Sequence, residues 1–209
     1  MEAVYNIFAY LSNHKNSKIV FDHQQPQYDK TRFIEADCKS LYGDVSEEIP
    51  TNNPEPRGIP FRVSLFCDAD HAGNLLTRRS HTGLFIFINN YLVDWYSKEQ
   101  ATVKSSTFGS DTITIRTGID KVQALRYKLY MMGVPMDGPA DVFCDNQSVV
   151  LTAQKPETRL SKKHNAINYH RIREAASGKW VRVAFESGAN NWADFLTKIL
   201  PIGKRKYIL

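Results

Sequence analysis

Cysteine is scarce in this 209-residue sequence, and long apolar runs are missing. Cys38, Cys67 and Cys144 form no C-x-x-C pair, and their number is odd, so a disulfide framework is not expected. Two of the three sit in apolar, strand-like runs, which reads as buried, reduced thiols in an intracellular protein. The histidines do not stand at ligand spacing from them, which leaves zinc without support. No apolar stretch approaches the roughly 20 residues that a membrane helix needs, so no membrane partner is expected. The opening MEAVYNIFAYLSNHKN lacks the basic start, apolar stretch and cleavage site of a secretory leader, so the chain is not expected to be secreted.

What is present is an ordinary globular mixture, long enough for one full domain plus an extension. Its charge is uneven. Residues 1–60 hold six Lys/Arg and nine Asp/Glu, which leaves 21 and 13 for the remainder. A basic part with isolated carboxylates suits a chain that grips a phosphate backbone and also binds metal, although a solvated basic surface would give the same total.

Apolar positions from Ala3 to Leu11 predict a short amphipathic helix, and Lys18–Asp22 a strand. Residues 45–58 (VSEEIPTNNPEPRG) combine three prolines with acidic residues and read as an extended linker. The expected division is therefore 1–57, a connecting or tail segment, and 58–209, a folded domain. Phe61–Asp68, Gly83–Ile88 and Tyr91–Tyr96 read as three antiparallel strands, the last two joined at Asn89-Asn90. Ser105-Ser106-Thr107 can cap a long helix whose apolar residues recur from Ile115 to Met132 and which Gly133 stops. Asp141–Asp145 reads as a fourth strand and Asn146–Gln154 as a short helix. Lys162–Ser177 reads as a basic helix, Trp180–Glu186 as a fifth strand, and a last helix should run from Asn190 or Asn191 to Leu200, closed by Pro201. That order implies an α/β fold with a mixed five-stranded sheet, three antiparallel strands followed by two parallel ones, flanked by helices.

Four aspartates fall at element ends: Asp68, Asp111, Asp145 and Asp194. If strands one and four are neighbours, Asp68 and Asp145 lie side by side, with Asp111 above them and Asp194 closing the group. Clustered carboxylates repel unless a cation compensates them, and as hard oxygen ligands they suit Mg²⁺ or Mn²⁺. Two such ions can activate water and stabilise a leaving oxygen in phosphodiester hydrolysis. Taken singly, each aspartate is more simply a cap, a turn residue or a surface charge.

Six segments carry a resemblance, in order: CDADHAGNLLTRRSHTG (67–83), DWYSKEQ (94–100), SSTFGSD (105–111), FCDNQS (143–148), KKHNAINYHRIRE (162–174) and NNWADFLTKILP (190–201). Together they resemble the ribonuclease H domain of copia-type retrotransposon Pol polyproteins, and residues 1–57 more loosely resemble the stretch that joins it to reverse transcriptase. The resemblance implies a ribonuclease H-like fold and cleavage of RNA in RNA–DNA hybrids with two divalent ions, Mg²⁺ or Mn²⁺. It implies no small-molecule cofactor. It makes Asp68 the bridging ligand, with Asp145 and Asp194 each on one ion. It also implies a partner in the reverse transcriptase part of the same polyprotein, and a location in a cytoplasmic retroelement particle or the nucleus.

Asp111 stands where the family carries Glu. One methylene fewer draws the carboxylate back by roughly 1.5 Å, and a displacement of that size can cost on the order of 100-fold in rate. Four β-branched residues (Thr112–Ile115) and Gly118 follow in the same helix, so an impaired copy, kept as a nucleic-acid-binding or structural module, is the alternative expectation. Asp70 is expected beyond the strand end as a turn residue. Lys162, Lys163, Arg171 and Arg173 form the most basic segment, Arg78 and Arg79 a second cationic point, and Asn146 sits beside Asp145. These seven are the candidate nucleic-acid contacts.

Overall fold

The computed structural model describes residues 2–13, 15–16, 21–34, 38–155, 157–160 and 163–200. Strand β1 (Val63–Asp70) alternates Val63, Leu65 and Cys67 with Ser64 and Phe66, so one face meets helices and the other meets aromatic rings. It pairs antiparallel with β2 (His81–Ile88), which turns at Asn89-Asn90 into β3 (Tyr91–Glu99). Asn89 takes the left-handed backbone (φ +52°) that the tight turn requires. On its other side β1 pairs parallel with β4 (Ala140–Cys144), which pairs parallel with β5 (Val181–Phe185). The sheet order β3-β2-β1-β4-β5 is the three-antiparallel, two-parallel arrangement expected.

Helix α3 (Thr107–Met131) is capped by the Ser106 side chain, which accepts from the Gly109 amide, and it lays Ile115, Ile119 and Val122 on β1 and β2. Gly118 has a packing reason. A Cβ there would lie 2.6 Å from Leu65 Cδ2 and 3.3 Å from Leu84 Cδ2, both buried, so glycine lets the helix sit this close to the sheet. The β-branched residues are also used: buried Thr114 meets Thr82 Oγ1 at 3.0 Å, and Gln100 Nε2 donates to Thr82, Thr114 and the Ser110 carbonyl. These features read as drift in the sequence alone; the structure shows them fastening α3 to β2. Gly118→Val is expected to cost about 1–3 kcal/mol through overpacking, read as a lower urea midpoint at unchanged slope.

Helices α4 (Gln147–Gln154) and α5 (Ala166–Ser177) cover the same face as α3, and α6 is short (Asp194–Thr197). The expected last helix is therefore cut to one turn. Residues 187–193 instead form a loop that buried Asn191 ties down, donating from Nδ2 to the Cys67 carbonyl and accepting from the Ala193 amide. The basic helix also begins later than expected, after a 3₁₀ turn at Lys163–Asn165. Pro201 and Lys18–Val20 of the expected strand lie outside the described residues.

Helix α1 (Glu2–Asn13) forms as expected, and α2 (Lys39–Tyr42) precedes the proline-rich stretch. Residues ahead of Gly58 pack on the sheet unit. Tyr28 and Phe33 meet the Phe143 ring edge-on, with centroids 4.7 and 5.7 Å away, and Arg126 holds Glu47 through Nε (2.6 Å) and Nη2 (2.7 Å). Cys38, Cys67 and Cys144 are free and buried, and burial pushes the Cys67 and Cys144 thiols well above their ordinary range.

Candidate metal centre and nucleic-acid interface

The parallel register Cys67↔Cys144 makes Asp68 and Asp145 neighbours at the end of the β1–β4 pairing. Asp68 is paired with Gly83 on β2, and there a Cβ would lie 2.9 Å from the Ala193 carbonyl and 2.6 Å from Thr197 Cγ2. Glycine at 83 thus lets the α6 turn rest on the strand and bring Asp194 to Asp68. Asp68, Asp145 and Asp194 each offer an oxygen, and these oxygens lie within 4.8 Å of one another. Asp68 and Asp194 are buried and Asp145 is half-buried. Burial, then the neighbouring carboxylate charges, raise the Asp68 and Asp145 pKa values, while Thr197 and Lys198 pull Asp68 back. Such a donor set fits a hard divalent cation, whose charge would relieve the repulsion.

Asp111 stands outside that trio. It is buried in α3, and Asn146 Nδ2 donates to its Oδ2 at 2.7 Å while Asn146 Oδ1 accepts from Ser148 to cap α4. Burial first, then the charges of Asp145 and Asp68, push its pKa up to about 7 against the pull of the Asn146 hydrogen bond. A carboxyl raised above its unfolded value binds its proton more tightly in the native state, so stability from this group is fully present near pH 4 and is lost as pH rises through 7. The metal-free protein is therefore expected to lose a few kcal/mol between pH 5 and pH 8 in urea titrations. Asp111→Asn should flatten that slope; an unchanged slope would refute this account.

Asp70 belongs to β1, paired with His81, so the strand runs two residues further than expected. Its carboxylate folds over the turn, where a Cβ on Gly73 would lie 1.7 Å from Asp70 Oδ2. A polar cleft of about 400 Å³ lined by Asp70, Asn74, Arg79, Glu99 and Thr197 opens beside it. Asn74 shapes the β1–β2 loop, accepting from the Leu76 and Thr77 amides, and Arg78 is exposed in the left-handed region (φ +55°). Arg79 faces Glu99 at 3.8 Å and is 44% exposed, which leaves it available to an anion.

The basic segment is less uniform than its sequence suggests. Lys163 is exposed, and Lys162 lies outside the described residues. Arg171 is half-buried, bonded to Asp120 (3.2 Å) and Glu174 (3.2 Å) and lying over the Trp180 ring. Arg173 is 1% exposed, with Nη1 donating to Tyr169 Oη (2.8 Å) and Thr158 Oγ1 (2.9 Å). Its place inside the protein removes Arg173 from the contact surface, and helical periodicity could not show this because the masking loop comes from elsewhere in the chain. Trp95 is 59% exposed on edge strand β3.

Sequence reasoning missed Asn165. Its side chain is fully buried with neither amide atom hydrogen-bonded among the described residues, and Nδ2 would lie 3.4 Å from a Cβ on Gly109, next to Lys104 just ahead of α3. Nothing local in the sequence distinguishes it. It also missed Lys198, which the TK of the NNWADFLTKILP segment carries.

No family model matches the chain. The Pol polyprotein of the tobacco transposon TNT 1-94 is 31% identical over 140 residues, which is 66% of this chain and 10% of that protein. The Pol polyprotein of the Arabidopsis thaliana transposon RE2 is 26% identical over 144 residues, 69% of this chain and again 10% of the relative. Among solved structures, the N-terminal ribonuclease H domain of a Mycobacterium tuberculosis protein covers 71% of this chain and 99% of its own, with TM-score 0.50 at 14% identity. This is a ribonuclease H fold, in a homologue of copia-type transposon Pol polyproteins. The LC11 ribonuclease H1, solved in complex with an RNA/DNA hybrid, matches 65% of the ribonuclease H-like chain and 94% of its own at TM-score 0.52 and 13% identity. The chain spans about a tenth of the length of the curated relatives it matches.

Proposed function

We propose that the chain is a metal-dependent endoribonuclease domain that cleaves the RNA strand of RNA–DNA hybrids and works beside the reverse transcriptase of its polyprotein inside the cell. Residues 1–57 are then the connecting segment and 58–209 the catalytic domain. The observation that carries this reading is the convergence of Asp68, Asp145 and Asp194 at the end of the β1–β4 pairing. Two ions, Mg²⁺ or Mn²⁺, would supply Lewis acidity and an activated water. Asp68 is central, because it faces both Asp145, just past the end of β4, and Asp194 on α6. Asp111 stands on the flank, oriented by Asn146. Exposed Arg78, Arg79 and Lys163 can hold backbone phosphates without reading sequence.

The test is Mg²⁺ and Mn²⁺ titration with a labelled hybrid, beside Asp145→Asn. Cleavage that needs metal and disappears in the variant supports the reading; metal-independent cleavage, or cleavage that survives in Asp145→Asn, overturns it.

A second reading, an impaired copy that binds but does not cut, is favoured by one observation: Asp111 lies outside the trio and is tied to Asn146. It predicts salt-sensitive hybrid binding by the parent with cleavage at the detection limit, and cleavage on the order of 100-fold above that limit for Asp111→Glu. Equal rates for Asp111→Glu and the parent would show that the shorter arm costs nothing.

A further inference from the structure

The cation at the carboxylate trio is one of the chain's own side chains. Lys198 Nζ lies 3.1 Å from Asp68 Oδ1 and 2.8 Å from Asp194 Oδ1. The turn that delivers Asp194 delivers this ammonium as well: Lys198 closes α6 four residues on, and its amide donates to the Asp194 carbonyl at 2.9 Å. Thr197, in the same turn, donates to Asp68 Oδ2, so one turn of chain engages both oxygens of the central aspartate.

We propose that Lys198 is the resident counter-cation of the site: it holds Asp68 and Asp194 together in the metal-free protein, and a divalent ion must displace it to bind them. The inference rests on the reading of the trio as a metal site. An ammonium and a metal ion compete for the same oxygens, because their like charges oppose joint occupancy. Release is feasible, because the lysine side chain is 43% exposed on a flexible four-carbon stem and its head can swing into solvent. Lys198 is thus a positioning residue that sets the apparent metal affinity by competition.

The test needs no substrate. Free Mn²⁺ is followed by electron paramagnetic resonance during titration of the protein at fixed ionic strength, for the parent, Lys198→Met, Lys198→Arg and Asp68→Asn. Lys198→Met keeps the length and loses the charge, so it should bind Mn²⁺ at least about fivefold more tightly, and its metal-free form should melt at a lower temperature than the parent. Lys198→Arg keeps a competing cation and should stay near the parent affinity. A role in structure alone would lower the melting temperature of Lys198→Met and leave its Mn²⁺ affinity at the parent value, and that result overturns the proposal. If the parent and Asp68→Asn bind Mn²⁺ identically, the metal-site reading itself has failed, a different outcome from a parent that binds at the trio and a Lys198→Met that binds no tighter.

Discussion

Asp68→Asn is expected to lower hybrid cleavage at least about a thousandfold while leaving the metal-free fold as stable as the parent or more so. The first half follows from position. Asp68 is the one member of the trio on the central strand, with Asp145 just past the Cys67↔Cys144 pair and Asp194 brought over it by the turn that Gly83 admits. A metal ligand contributes several kcal/mol of transition-state stabilisation, and about 4 kcal/mol is a thousandfold in rate. The second half follows from the cost of the charge. Burial raises the Asp68 pKa, and the Asp194 charge adds to it, so the folded protein disfavours the anion that asparagine removes. Loss of the Lys198 contact offsets part of the gain, but that lysine is 43% exposed and its pairing is correspondingly screened. Rates with saturating Mg²⁺, set beside urea midpoints in chelator, check both halves. A variant that is inactive because it has unfolded would show in the second measurement.

Glu47→Ala is expected to cost about 3–5 kcal/mol, although Glu47 lies in a stretch that reads as an extended linker. Its carboxylate accepts from Arg126 Nε and Nη2, and from Tyr130 Oη at 2.9 Å. Arg126 is 3% exposed, and its Nη1 is taken by the Gly138 carbonyl. Removing the acid would strand a buried guanidinium, which costs far more than an exposed pair is worth. Glu48, next in sequence and exposed, supplies the control, and Glu48→Ala should stay within about 0.5 kcal/mol of the parent. Equal denaturation midpoints for the two variants would mean that the Glu47 pair adds nothing to stability. The expected difference bears on any attempt to isolate the ribonuclease H-like unit, since cutting at Gly58 would remove Glu47 together with Tyr28 and Phe33, which cover Phe143.

The sequence by itself determined the strand and helix order, and with it the fold. Runs such as FRVSLFCD and GLFIFI, the Asn-Asn turn and the Ser106 cap are local signals whose physics acts within a few residues. It also located Asp68, Asp145 and Asp194 at element ends, while their convergence waited on the parallel β1–β4 pairing and the α6 turn that only the structure shows.

Tertiary structure decided what depends on neighbours distant in the chain. Gly118 and Thr114 read as helix weaknesses until Leu65, Thr82 and Gln100 stand against them. Arg173 reads as a surface charge until Thr158 and Tyr169 enclose it. Asp111 could be recognised as short, but only the fold shows it turned to Asn146 and pushed up to about 7 by burial. The three aspartates that converge were legible because local patterns mark where strands end and helices begin; the lysine that contacts two of them was not, because its place depends on how closely one turn lies over Gly83.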